Sequence, residues 1–211
     1  MNYEDHRRNY VLGGLHREML TDTPLELFEQ WQQQAIDAGL KDPTAAALAT
    51  VDISGNLWQR IVLLKGLSDG GFVFFTNYQS NKARALALDS RASLLFPWNE
   101  LDRQVTVTGA VEKISEQQSD AYFASRPRAS QLGAWTSAQS NPIASRALLE
   151  AEYQKVVERF DGEAVPRPAH WGGYRLRPVE IEFWQGGEHR LHDRFRYALA
   201  DGNWLATRLQ P

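Results

Sequence analysis

The sequence predicts a mainly β protein, an antiparallel barrel with helices at its periphery. Two observations carry this. Six to eight strand-like segments follow one another across short turns, and helical segments interrupt them irregularly instead of alternating with them as a parallel sheet requires. The chain is also long enough, at 211 residues with 43% apolar and 11% aromatic content, to bury a substantial core without staples.

Residues 1–20 are polar, carry Arg7, Arg8 and Tyr10, and break at Gly13-Gly14. They read as a mobile arm ahead of a single domain, 21–211. Thr23-Pro24-Leu25-Glu26 opens a helix, with Thr23 as cap, Pro24 in the first turn and Glu26 completing a capping box. Leu25, Phe28, Trp31, Ala35 and Ile36 give it an apolar face, and Gly39 ends it. Strands over 45–51 and 57–64 flank the turn Asp52-Ile-Ser-Gly-Asn56, and a third covers 71–76. A short helix over 80–89 turns Ala83, Leu86 and Ala87 inward. Strands follow at 93–98 and 104–114. Ser115-Glu-Gln-Gln118 is a second capping box, opening a helix that Pro127 stops, and Asn141-Pro142 opens a third long helix running to about Phe160. Strands resume at Trp171. Val179, Ile181 and Phe183 alternate with Glu180, Glu182 and Trp184, the period of a half-buried strand, and the turn Asp201-Gly202 leads to the last strand.

Composition closes several routes. There is no Cys, which excludes disulfides, thiolate catalysis and Cys-ligated metals. A net charge of −3 argues against nucleic-acid binding, so any anionic ligand must be held by local clusters of Arg and Lys. No apolar signal core opens the chain and no apolar run approaches membrane-spanning length, which points to a cytoplasmic protein without a membrane partner.

Chemistry concentrates between Phe183 and Arg194. Glu188, His189, Arg190, His192, Asp193 and Arg194 crowd the connection between two strand candidates, and Gly186 and Gly187 let its backbone turn sharply. His189 and His192 make a poor metal pair, because a strand–loop context does not fix their spacing, and no metal is expected. Elsewhere Arg60 and Lys65 bracket an apolar strand. Lys82 lies in the first turn of a helix, where free N–H groups and the dipole add to its charge and favour a phosphate. Tyr122, Arg126 and Ser130 recur at four residues, which stacks the first two on one helix face. A Walker A loop, a G-x-G-x-x-G and a Gly-x-Ser-x-Gly are all lacking, so neither a Rossmann-type nucleotide site nor serine acyl transfer has support.

Taken in order, Arg60-Ile-Val-Leu-Leu-Lys65, Phe74-Phe-Thr-Asn77, Leu94-Leu-Phe-Pro-Trp98, Arg103-Gln-Val105, Tyr122-Phe-Ala-Ser-Arg-Pro-Arg128, Ser130-Gln-Leu-Gly-Ala-Trp135 and the run from Phe183 to Arg194 resemble the pyridoxine/pyridoxamine 5′-phosphate oxidase family. The resemblance extends from Arg7 to Pro211, and the last motif is nearly a signature. It implies a homodimeric FMN-binding split barrel with FMN at the subunit interface. It assigns FMN contacts to Arg60, Ile61, Val62, Leu63, Leu64, Lys65, Phe75, Thr76, Asn81, Lys82 and Gln104 of one subunit, and to Gln139, Ser140, Trp184 and Arg194 of the other. Lys65, Tyr122, Arg126 and Ser130 would grip the substrate phosphate. Arg190 and His192, the catalytic pair, would sit against the pyridine ring, with Arg7 and Tyr10 of the arm closing over it.

The implied reaction oxidises pyridoxamine 5′-phosphate or pyridoxine 5′-phosphate to pyridoxal 5′-phosphate, with hydride leaving C4′ for the flavin and oxygen reduced to hydrogen peroxide. Arg190 is too basic to abstract a proton, so positioning and electrostatic stabilisation fall to it; His192 either takes a proton or hydrogen-bonds the ring substituents. Two departures stand out. Asn81 precedes Lys82 where the family commonly has Arg, leaving one cation fewer near FMN, and His16 and Glu18 occupy a region that is often more basic. Two other functions compete: a split-barrel reductase using a nicotinamide or deazaflavin partner, against which Tyr122, Arg126 and Ser130 speak, and a non-enzymatic pyridoxal 5′-phosphate carrier, against which Arg190 and His192 speak.

Overall fold

The computed structural model describes residues 9, 10 and 12–211, so Arg7 lies outside the described residues. Its organising strand is β7 (Trp171–Gln185), which pairs antiparallel with β4 (Gly71–Asn77) along its first half, with β8 (Asp193–Ala200) along its second, and with β6 (Arg103–Lys113) along most of its length. A strand flanked on both edges and covered on both faces loses polar alternation, and Trp171 to Leu176 are all buried.

The sheet runs β2 (Leu57–Leu63), β1 (Ala45–Val51), β5 (Arg91–Trp98), β6, β7, β4, β3 (Gly66–Ser68), and β9 (Asn203–Leu209) extends it from β8. Its two ends, β2 and β3, are joined in the chain by Leu64 and Lys65 alone. The Leu64 N–H donates to Thr44 O and the Lys65 N–H to Val73 O, both at 2.8 Å. So short a link forces the sheet to curl until its ends meet, and the barrel closes at Lys65. All nine strands pair antiparallel. The sequence points to six to eight because β3, three residues long, is too short to show alternation.

Inside the barrel the aromatic residues meet. Phe28, from α1 (Pro24–Asp37), packs edge-on against Phe72 and Phe96, each with centroids 4.8 Å away, and burying such a ring is worth about 1.5–3 kcal/mol. Trp31 reaches Phe183 from the same face. Leu27 takes the inward place expected for Ile36, which is exposed. A second cluster, Phe123, Leu132, Phe160, Val165 and Trp171, lies under the peripheral helices.

Several local expectations are corrected. Val179 does not face the core: the β6–β7 register skips it, pairing Thr108 with Glu180 and Gly109 with Pro178, and it is left exposed on the bulge. Gly109 permits that bulge, since a Cβ there would lie 1.9 Å from Arg177 O. In α2 (Asn81–Leu88), Ala83 and Leu86 are buried as expected, but Ala87 is exposed and Lys82 is buried. The last helix, α5 (Arg146–Arg159), starts later than Asn141-Pro142 because Ser145 supplies the cap, accepting from the Leu148 N–H at 3.2 Å. Pro127 does stop α3 (Glu116–Ser125), yet a further helix, α4 (Arg128–Thr136), follows at once. The arm, finally, is docked over its last residues: Leu15 is fully buried and its N–H donates to Asp193 at 3.0 Å.

Candidate functional site

Two adjoining cavities run along β2, of about 720 and 710 Å³, and share Ile61, Lys82 and Gln139 in their walls. Strand alternation explains the wall they present. Ile61 and Leu63 face outward and exposed, whereas Val62 and Leu64 point into the core. Leu64 lines neither cavity, so of the run from Arg60 to Lys65 it alone offers the groove no surface.

The first cavity reaches Lys65, Phe75, Thr76, Tyr122, Arg126, Ser130 and Trp171. Phe75 and Tyr122 stack with centroids 3.8 Å apart, and Trp171 continues the stack at 5.5 Å from Phe75. Arg126 lies over Trp171 at 4.5 Å. Four-residue spacing is not what brings Tyr122, Arg126 and Ser130 together. Arg126 has left α3, because the residue before a proline is pushed to extended backbone (φ −72, ψ 148), and Ser130 belongs to α4. The bend between the helices aims Arg126 at the cavity. There its Nη1 is buried with no hydrogen-bond partner. Burial lowers the guanidinium pKa from its ordinary value and raises that of the Tyr122 phenol, with Arg126 partly offsetting the second shift. An orphaned guanidinium N–H beside Lys65 and the Ser130 and Tyr122 hydroxyls is a donor set lacking its acceptor, and a phosphate monoester fits it.

The second cavity reaches Arg60, Asn81, Lys82, Gln139 and Ser140. Arg60 donates to Thr50 Oγ1 at 2.7 Å and to Leu48 O at 3.1 Å, which holds its stem at the barrel's rim. The Lys82 ammonium is buried, 3.0 Å from Thr76 Oγ1 and 3.3 Å from Ser80 Oγ. Burial, and then the nearby Arg60, pull its pKa down to about 8. Gln139 and Ser140 sit on the groove of their own chain, the first accepting from Thr76 Oγ1 at 3.4 Å and the second from the Asn81 N–H at 3.2 Å. The resemblance had assigned both to a partner subunit.

The remaining expected residues form a separate group that lines neither cavity. Gln104, Trp184 and Arg194 lie side by side in register across β6, β7 and β8. Arg194 is held by both Glu182 oxygens at 3.0 Å and by Gln210 O at 2.9 Å, and its Glu182 hydrogen bonds raise its pKa. Beyond them His192 packs at 4.7 Å from Trp184, Tyr10 stands edge-on to both, and the Arg190 guanidinium is 5.6 Å from the Tyr10 ring. His189 and Arg190 both adopt left-handed backbone, φ 56 and 65, a strained pair of the kind found where a loop is shaped for use. Gly187 makes room for the loop: a Cβ would lie 2.3 Å from Leu191 O. Its N–H donates to His192 Nδ1 at 3.1 Å, so the neutral ring carries its proton on Nε2. Burial and then Arg190 lower the His192 pKa, which favours that neutral form.

Sequence reasoning missed Trp171, the ring beneath Arg126, because it opens a strand some forty residues away and no local pattern links the two.

Residues 32–160 match the family described as pyridoxamine 5′-phosphate oxidase, and residues 171–211 the pyridoxine 5′-phosphate oxidase C-terminal dimerisation region. A pyridoxine/pyridoxamine 5′-phosphate oxidase of Shewanella frigidimarina is 54% identical over 207 residues, 98% of each chain, and one of Vibrio cholerae serotype O1 is 51% identical over the full length of both. Among solved structures, PhzG from Burkholderia lata 383, in complex with tetrahydrophenazine-1-carboxylic acid, superposes with a TM-score of 0.88 at 32% identity, covering 93% of this chain and 98% of its own. A pyridoxamine 5′-phosphate oxidase-related, FMN-binding protein of Nostoc punctiforme shares the fold, with a TM-score of 0.72 at 15% identity over 91% of this chain and 100% of its own.

Proposed function

The chain belongs to the pyridoxamine 5′-phosphate oxidase family, and we propose that the two-poled groove along β2 is where its FMN and its phosphorylated substrate meet. It is an oxidase of pyridoxine and pyridoxamine 5′-phosphates and uses FMN. One observation carries the placement: two adjoining cavities, with Lys65 and Arg126 in the first, Arg60 in the second and Lys82 in the wall between them, joined by the apolar edge of β2. Two phosphate monoesters laid with their rings toward each other need that arrangement.

In this reading Arg60, Lys82, Gln139 and Ser140 hold the FMN phosphate, and Ile61, Leu63, Phe75 and Thr76 border its ring. Arg126, Lys65, Tyr122 and Ser130 hold the substrate phosphate. Binding energy spent on that remote group orients C4′ without touching it. FMN, when bound, supplies the two-electron acceptor, and oxygen is the final acceptor, as the word oxidase in the relatives' names supports.

The dimerisation region suggests a homodimer. Trp184, Arg190, His192 and Arg194 lie inside that region and line neither cavity of their own chain, which supports their serving the groove of the second copy. Arg190 then positions and stabilises charge. His192 donates from Nε2 to a ring substituent; acting as a base through Nε2 would need the tautomer that sets Nδ1–H against the Gly187 N–H. Tyr10 covers the pair.

The test is the flavin spectrum of the FMN-loaded protein under anaerobic addition of pyridoxamine 5′-phosphate. Bleaching of the flavin band is expected. A flavin that stays oxidised rejects the reading.

A further inference from the structure

Around the second cavity positive charge gathers in excess. Arg60 and Lys82 line it, and so does Arg84. Among the described residues no carboxylate forms an ion pair with any of the three. The one carboxylate lining the cavity, Asp52, is taken by its own turn, accepting from the Ser54 and Asn56 N–H groups at 2.9 Å and from Trp58 Nε1 at 2.8 Å. Two of the cations, Lys82 and Arg84, stand in the first turns of α2, where the helix dipole disfavours positive charge. Among the described residues no ion pair offsets them.

Arg84 is also aimed. Helical side chains lean toward the N-terminus, so a residue three places along covers the one at the helix start. The Arg84 Nη2 donates to Asn81 Oδ1, and its Nη1 donates to Gln79 O at 2.8 Å. These two bonds hold the exposed guanidinium back over the helix start, where Ser140 meets the Asn81 N–H.

We infer that Arg84 is a phosphate-binding residue for FMN, completing with Arg60 and Lys82 a three-cation pole and making good, one turn later, the cation that Asn81 does not supply. The inference rests on the groove being the FMN site. Asn81 becomes the strut that carries Arg84, its amide oxygen accepting where an arginine at 81 would itself have reached for the anion. The site selects a phosphate monoester over the bare isoalloxazine-ribityl moiety.

The experiment titrates the apo-protein with FMN and, in parallel, with riboflavin, following quenching of flavin fluorescence. Arg84→Ala is expected to weaken FMN about ten-fold or more while leaving riboflavin unchanged, since a charge-assisted bond to phosphate is lost and the ring contacts are not. Asn81→Arg alone is expected to shift FMN by less than about three-fold, yet to restore most of the FMN affinity when combined with Arg84→Ala, with riboflavin unmoved throughout, since the direct Asn81–Arg84 contact alone would not distinguish the two flavins. Equal loss of FMN and riboflavin, or no loss of FMN, overturns the role of Arg84. A wild-type protein that binds no FMN overturns the groove assignment itself, and the Arg84 role with it.

Discussion

Truncating Arg126 separates binding of a phosphate from support of the fold. The residue ends α3, so its loss could in principle weaken the protein. The geometry says otherwise: the last carbonyls of α3 are satisfied by Gln131 Nε2, which donates to Phe123 O at 2.9 Å and to Ala124 O at 3.3 Å, and Arg126 contributes only its backbone N–H. The side chain brings a stacking attraction to Trp171, worth about 0.5–2 kcal/mol, against a buried Nη1 that lacks an acceptor, costing about 1–3 kcal/mol. The two nearly cancel. Arg126→Ala should therefore leave the melting temperature within a few degrees of wild type. Against phosphorylated substrate the balance changes, because each charged hydrogen bond to phosphate is worth about 1.5–3 kcal/mol and the site is half-buried. A loss of about 2–4 kcal/mol in kcat/KM follows, roughly thirty- to a thousand-fold. Unphosphorylated pyridoxine or pyridoxamine should lose far less. The assay is the ratio of the two kcat/KM values in FMN-saturated wild type and Arg126→Ala, with Arg126→Lys recovering part of the loss as a point charge without the fork. A ratio that does not move removes Arg126 from the site.

Three further outcomes follow from the same geometry. Lys82 is depressed to about 8 from 10.5, so in the apo-protein this group's contribution to stability rises as pH climbs between those values; bound phosphate restores the charge, and FMN affinity should fall above pH 8, by up to about ten-fold per unit, with calorimetry showing proton uptake on binding. A flat affinity from pH 7 to 9.5 contradicts this. Gly109→Ala drives a Cβ into Arg177 O at the bulge and should cost about 2–4 kcal/mol, a melting temperature lower by roughly 5–15 °C, as read by calorimetry. If the hairpin serves the other copy's groove, mixing Arg126→Ala with Arg190→Ala dimers and allowing exchange should raise activity to about a quarter of wild type, since half the dimers then carry one intact site. Activity that stays at the mean of the two parents refutes the shared site.

The fold was legible wherever pattern and local chemistry agree. Thr23, Ser80 and Ser115 each cap the helix the sequence assigns to them, and the turn from Asp52 to Asn56 joins the strands expected on either side. Failures came where a long-range partner overrode a local pattern. Val179 sits in perfect alternation with Ile181 and Phe183, but register with β6 is decided by Gly109 on another strand, and the bulge there turns Val179 outward. At Asn141-Pro142 the start signal is sound in itself; Ser145 outcompetes it by actually capping Leu148.

Site residues show the same division in sharper form. Arg60, Lys65, Lys82, Tyr122, Arg126 and Ser130 can be nominated from sequence, and the structure brings all six to the groove, but the shared helix face expected for Tyr122 and Arg126 is not how those two meet. Four-residue spacing would have put Arg126 on the flank of α3, one more solvated arginine. Pro127 breaks the helix at that residue, and the break, not the helix, turns the guanidinium into the cavity. Arg84 is the converse case: an unremarkable arginine in a polar helix start, meaningful only because Arg60 arrives from β2 beside it and Lys82, and the one carboxylate in the same wall, Asp52, is engaged by its own turn. A cation's partner can be read from sequence when it is four residues away. A cation's lack of one is a property of the assembled surface, and there the fold has to be in hand before the charge can be counted.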